Sequence, residues 1–210
     1  SGGKDSAMAL RELRRDKNYD VTGLLTTITE GHNRVSMHGV RASLVEQQAR
    51  VVGLPLVKML IPPGASNERY GLEMREVLAR AREEGVSGVA FGDVFLEDVR
   101  RYREDKLSQV GMKAIFPIWK RNTRDLAMEF IKQGFRAVLT CVDSRRLDRS
   151  FAGRSFDETL LADLPSSVDP SGENGEFHTF VYDGPVFKES IPVYVGEHVL
   201  RDGFQFADVL

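Results

Sequence analysis

Apolar residues near the start of the chain fall at helical spacing. Ala7, Met8, Ala9, Leu10 and Leu13 share one stripe, which predicts a helix over residues 4–17. Val21-Thr22-Gly23-Leu24-Leu25-Thr26-Thr27-Ile28 is rich in β-formers and predicts a buried strand. A turn follows at Glu30-Gly31-His32-Asn33, and then a short mixed segment over residues 35–40. Helical spacing returns over residues 42–52, with Leu44, Val45, Ala49 and Val52 on the apolar side and Gly53 at the end. Further strands are expected over residues 54–61, 86–91 and 135–142, and helices over 67–84, 94–110 and 122–133. Gly85, Gly111 and Gly134 follow the three helices. A short extended run, Ala114-Ile115-Phe116-Pro117-Ile118-Trp119, lies between the last two of these helices.

This alternation of strand and helix predicts an α/β fold with a mostly parallel, doubly wound sheet. Residues 135–142 are expected to be its fourth strand. From about residue 144 polar loops and short segments take over. A short helix is expected over 156–164, a loop over 165–176, and antiparallel strands over 177–182 and 191–200. A boundary is placed near residue 112, dividing the chain into residues 1–112 and a smaller α+β lobe over 113–210.

At 210 residues the chain can bury a core without staples. Its 41% hydrophobic and 29% charged residues suit a globular protein, and no apolar run reaches the ~18 residues of a membrane span. The net charge of −2 argues against a broad nucleic-acid footprint. Arg100, Arg101, Arg103 and Lys106 are interleaved with Glu97, Asp98, Glu104 and Asp105, which reads first as a solvated helix face. The single cysteine, Cys141, excludes an internal disulfide and a cysteine-based zinc site, and it fits a cytoplasmic setting.

Against this background, Ser1-Gly2-Gly3-Lys4-Asp5-Ser6 stands out. Adjacent glycines let the backbone approach an anion, the first N–H groups of a helix point at it, and the helix dipole favours negative charge there. Lys4 adds a mobile cation, and Ser1 and Ser6 add hydroxyl donors. The spacing is not that of the mononucleotide P-loop. It resembles the PP-loop of the ATP pyrophosphatases, which hold the β,γ-pyrophosphate of ATP and cleave between the α and β phosphates. The alternative is a Ser/Gly turn capping an ordinary amphipathic helix. A buried strand is expected ahead of such a loop, so residues before Ser1 are expected in the functional protein.

Three more segments lie after predicted strands, where ligands bind in open α/β folds. In Ser36-Met37-His38-Gly39-Val40-Arg41, the backbone near Gly39 can meet an adenine edge and His38 can reach a phosphate, or the segment is a plain connection. In Phe91-Gly92-Asp93-Val94-Phe95, Gly92 permits close approach. Asp93 is either a helix N-cap or a carboxylate for Mg²⁺ or an amine. Arg100, Arg101 or Arg103, on the helix that follows, can pair with phosphate or a substrate carboxylate. Residues 169–179 pack Asp169, Glu173, Asn174, Glu176, His178 and Thr179 among glycines, either as a functional loop or as an acidic hairpin.

The glycine loop together with Gly172-Glu173-Asn174-Gly175-Glu176-Phe177-His178-Thr179 resembles the diphthine–ammonia ligase family of ATP pyrophosphatases. The Gly92-Asp93 turn, Arg100-Arg101-Tyr102-Arg103-Glu104 and Phe116-Pro117-Ile118-Trp119 resemble it too, so the likeness spans about residues 1–190. It implies a Rossmann-like HUP domain followed by a family-specific lobe. It also implies amide formation: ATP adenylates a carboxylate, pyrophosphate leaves, and ammonia attacks the acyl-adenylate. Eukaryotic and archaeal members make diphthamide on elongation factor 2. The Asp169–Thr179 stretch is closer to compact bacterial homologues, which leaves the acceptor carboxylate open.

On this resemblance Lys4, Glu173, Glu176 and His178 are expected in catalysis. Ser1, Gly2, Gly3, Lys4, Asp5, Ser6, His38, Gly39, Gly92 and Asp93 are expected around ATP. Arg101, Arg103, Asn174 and Thr179 are expected around the acceptor, and Asp93 and Glu173 around Mg²⁺. The expected partners are ATP, ammonia and an acceptor that is a small molecule or a protein side chain; a homodimer is compatible. Two other functions share the PP-loop: RNA modification by adenylation of a base carbonyl, and non-catalytic sensing of adenine nucleotides. A lone cysteine late in an apolar strand disfavours sulfur transfer, and the dense 169–179 loop disfavours a sensor.

Overall fold

In chain order the elements are α1 (Lys4–Arg15), β1 (Leu24–Thr29), β2 (Arg34–Val35), α2 (Ala42–Val52), β3 (Leu56–Ile61), α3 (Asn67–Glu83) and β4 (Gly88–Ala90). They continue with α4 (Glu97–Ser108), β5 (Lys113–Ile115), α5 (Thr123–Lys132), β6 (Arg136–Asp143), α6 (Glu158–Asp163), β7 (Phe177–Asp183), β8 (Val195–Arg201) and β9 (Phe204–Val209). This computed structural model describes residues 2–210. Ser1 lies outside the described residues.

β1 and β3 run parallel in register from Leu24↔Leu56 to Thr29↔Ile61, with β2 antiparallel on the other side of β1. β4 and β5 form a second parallel pair. The α/β reading therefore holds, with its parallel strands in two separate sheets rather than one. The predicted strand at 54–61 begins later, at Leu56, because Pro55 has no N–H to give a ladder; its carbonyl instead accepts from Leu24 N at 2.8 Å.

The predicted fourth parallel strand is corrected. β6 belongs to a four-stranded antiparallel sheet of order β7-β6-β9-β8, pairing antiparallel with both β7 and β9. Seven of its eight residues are buried. A strand covered on both faces reads as a continuous apolar run whichever way its neighbours point, so the run alone could not specify partners. The expected strand over 191–200 starts later, as β8 at Val195, and it turns into a further strand, β9, that was not expected. Asp202 and Gly203 turn it with φ of 51° and 82°, a turn dipeptide that marks such a hairpin in sequence.

The main core joins the first helix to this antiparallel sheet. Met8 of α1 packs in one cluster with Phe130 of α5, Leu139 and Val142 of β6, Leu160 of α6 and Val181 of β7. A second cluster joins Ile28, Leu44 and Val45 to Val138, Phe180 and Val209. α1 is thus packed onto β7, and the glycine loop ahead of it is brought against the antiparallel sheet. No helix among the described residues is long and apolar enough to cross a membrane.

Candidate active site at the glycine loop

α1 starts at Lys4 with Gly3 as N-cap and no side chain capping it. Gly2 holds φ at +77°, a conformation that L side chains rarely adopt, and a Cβ there would lie 2.9 Å from Gln48 Oε1. The Gly2 carbonyl accepts from Val181 N at 2.9 Å and from Gln48 Nε2 at 3.0 Å. Lys4 N donates to Thr179 Oγ1 at 3.1 Å. The loop is therefore shaped by residues far away in sequence, Gln48 on α2 and Thr179 and Val181 on β7.

The Lys4 side chain is only 4% exposed. Its Nζ lies 2.6 Å from Asp5 Oδ1 and 5.9 Å from the ring centres of both Phe156 and Phe177. A buried ammonium between two aromatic faces with one carboxylate partner is a strong local cation. Ser6 is exposed in the first turn of α1.

The predicted loops converge here. A Cβ on Gly92 would sit 2.7 Å from the backbone carbon of Asp5, so only glycine lets the end of β4 touch the start of α1. Asp93 is not a helix cap, which corrects that expectation: α4 begins at Glu97 with Leu96 as N-cap. The N–H groups of Val94 and Phe95 donate instead to Glu173 Oε1, at 2.7 and 3.3 Å, and this holds the backbone out of the helix. Asp93 pairs with Arg103, whose Nη2 donates to Oδ1 at 3.1 Å while Nε lies 2.8 Å from Oδ2. Arg103 also stacks on Phe91 at 4.2 Å.

Arg101 is not brought to this cluster; it is exposed on α4. Arg100 is the neighbour that reaches inward, 4.9 Å from the Phe116 ring and 4.7 Å from the Trp119 ring. Its spacing of three from Arg103 puts both on one helix face, a signal the sequence carried.

Residues 169–179 fold around two carboxylates. Glu176 is 1% exposed, and its oxygens accept from Asp169 N, Asn174 N and Asn174 Nδ2 at 3.1, 3.0 and 3.1 Å. Asp169 accepts from Thr123 Oγ1 at 2.7 Å and from the N–H groups of Ser171 and Glu173. Glu176 and Asn174 thus act on the shape of the loop, and Glu173 reaches out of it. Burial pushes the Glu173 carboxyl above its ordinary value, with Asp5 adding to the rise; the Val94 and Phe95 N–H groups and Lys4 oppose it.

His38 and His178 meet at the same place, with ring centres 4.2 Å apart and planes tilted by 39°. Burial lowers the pKa of both, and the nearby Lys4 charge lowers each further. Both are therefore neutral near pH 7. Nδ1 of His38 is buried without a hydrogen-bond partner. Gly39 carries its loop onto β9, where a Cβ would lie 2.7 Å from the Phe206 ring. Among the described residues no group of three or more His, Cys, Asp or Glu side chains is arranged to hold a metal ion.

Gln48 is the site residue the sequence reading missed. It is 7% exposed on the apolar face of α2, and besides Gly2 it donates to Val181 O at 2.6 Å. Its signal was a lone amide at the i+4 position from Leu44 in an otherwise apolar stripe.

Residues 1–114 match the diphthamide synthase N-terminal domain and residues 122–208 match the diphthamide synthase C-terminal domain. The rat diphthine–ammonia ligase is 28% identical over 232 residues, which cover 100% of this chain and 86% of the relative. The human diphthine–ammonia ligase has the same identity and coverage. That of Schizosaccharomyces pombe is 24% identical over 213 residues, covering 91% of this chain and 34% of the relative. With both domain matches in chain order, and a glycine loop, a glutamate loop and a histidine pair folded onto one another, the chain belongs to the diphthamide synthase family.

Proposed function

We propose that the chain is an ATP-dependent amide-forming ligase acting on a carboxylate of the diphthine type. The observation that carries this reading is the buried Lys4 ammonium at the start of α1, with the 169–179 loop closed beside it. Carboxylate and ammonia do not condense unaided in water, so an oxygen of the acid needs a leaving group. In the first step a carboxylate oxygen attacks the α-phosphorus, the bond to the β-phosphate bridge breaks, and pyrophosphate departs. In the second, ammonia attacks the acyl carbon, AMP leaves, and one proton is released.

Gly2 and Gly3 let the backbone approach the pyrophosphate at the start of α1, where the helix dipole and the Lys4 ammonium hold it while the Lys4 N–H stays on Thr179 Oγ1. His178, neutral beside Lys4, takes the proton released by the attacking amine. Arg103 and Arg100 present guanidinium groups toward the acceptor side. Magnesium is commonly held by one or two carboxylates plus substrate phosphates. Glu173 and Asp93 would be those carboxylates, Asp93 being the residue before Val94, whose N–H donates to Glu173 Oε1, and the ion would neutralise charge on the leaving pyrophosphate. We also take the division near residue 112 as separating the nucleotide-holding part from the acceptor part.

The test is release of AMP and pyrophosphate from ATP–Mg²⁺, with ammonium and a panel of carboxylates that includes a diphthine-bearing protein. Lys4→Ala is expected to lower kcat/KM by an amount equivalent to about 2–4 kcal/mol at the transition state. Unchanged AMP release in that variant would overturn the assignment.

A further inference from the structure

β8 ends the antiparallel sheet. β9 pairs with one of its edges, and no strand among the described residues pairs with the other. Six of its seven residues are exposed. Proteins usually blunt such an edge with prolines or inward charges, because its free N–H and C=O groups recruit another strand. Here the register shifts once, between Val195 and His198, and beyond that shift the edge stays regular from His198 to Arg201, mixing exposed apolar residues with Glu197 and Arg201. Val195, Val199 and Leu200 are 44%, 44% and 46% exposed, and Tyr194 and Leu210 at the sheet end are 72% and 46% exposed.

The hairpin fixes which backbone groups are open. In a two-residue hairpin the pair flanking the turn exchanges both hydrogen bonds, and successive pairs alternate. Arg201 faces Phe204, Leu200 faces Gln205 and Val199 faces Phe206. Arg201 and Val199 therefore turn their backbone groups toward β9, and Leu200 and His198 turn theirs outward. An antiparallel strand bonding to Leu200 and His198 can be this same strand from a second copy. The side chains of Glu197, Val199 and Arg201 share one face, since side chains alternate along a strand, and all three line a single cleft with Arg34 and Asp208.

When Val199 lies against itself across a two-fold axis, His198 faces Leu200 of the second copy and Glu197 faces Arg201 of the second copy, each pair occurring twice. The neighbouring registers that keep the backbone bonds place Glu197 opposite Val199 or Gly203, so charge complementarity singles out one. We propose that two copies of the chain associate by antiparallel pairing of their β8 edges about an axis through Val199. The result is an eight-stranded sheet with an apolar centre flanked by two reciprocal Glu197–Arg201 pairs. Such an interface is closed and self-complementary.

Sedimentation equilibrium over a concentration series tests this. The wild-type chain is expected at twice its 23.5 kDa mass. Glu197→Lys and Arg201→Glu each set like charges opposite one another and are expected to raise the dissociation constant by at least about tenfold. The double variant E197K/R201E restores the charge pairs in swapped order and is expected to recover the wild-type dimer. Circular dichroism establishes that each variant is folded. A wild-type monomer at every concentration overturns the proposal, as does a dimer indifferent to the single changes, or a double variant that stays monomeric while folded.

Discussion

Gln48 shows how a single side chain can set the shape of the site without touching substrate. Its amide donates to the carbonyls of Gly2 and Val181, so one group ties α2, the glycine loop and β7 together. Gln48→Leu keeps the volume and removes both donors. It is expected to lower unfolding stability by about 1–3 kcal/mol, measured by urea denaturation, because Val181 O loses its buried partner. A change within error would mean that the two carbonyls find other donors. Cys141 shows the opposite case. Burial, with Asp143 adding to it, pushes its thiol up to about 12, so it is a small core residue and not a reactive one. Its inertness was legible in sequence from the apolar run around it. The role of Gln48 was not, because amphipathic spacing says which face is buried but not which carbonyl waits there. Glu173 and Glu176 were legible as a pair of carboxylates, and only their hydrogen bonds separate the one that reaches the site from the one that holds its own loop.

Between elements, the join of β2 and α2 to β9 rests on Asp208. It accepts from Arg34 Nη1 at 2.8 Å, and from Arg41 Nε at 3.1 Å and Nη2 at 2.5 Å. The Arg41 hydrogen bond, with Arg34 adding to it, lowers the Asp208 pKa to about 2. A carboxyl depressed in the folded state contributes stability above its unfolded pKa and loses that contribution as pH falls through the folded value. Asp208→Asn is therefore expected to cost about 1–2 kcal/mol at pH 7, after allowing for solvent screening of the part-exposed arginines. The difference from wild type should shrink as pH falls below about 4. Denaturant midpoints at pH 7, 5 and 3 check this, and a pH-independent difference would assign the loss to packing. Helix α4 carries a related lesson. Its sequence permits a start at residue 94, yet Glu173 captures the N–H groups of Val94 and Phe95, and the helix begins at Glu97.

For the whole molecule, the contact of the glycine loop with β7 means that nucleotide binding should be felt across the antiparallel sheet. ATP is expected to slow hydrogen exchange at the Val181 amide, which donates to Gly2 O, along with amides of α1. Protection confined to α1 would show that the loop and β7 are not coupled. Periodicity, turn residues and motif spacing determined the helices, most strands and the glycine loop opening α1, because these follow from interactions within about ten residues. They did not determine that β6 would join β7 and β9 antiparallel, or that β8 and β9 would form a hairpin with β8 at the edge of that sheet. Those outcomes depend on which buried faces meet over long separations, such as the 175 residues between Lys4 and Thr179. A sequence pattern records that a face must be covered; only the packed structure decides what covers it.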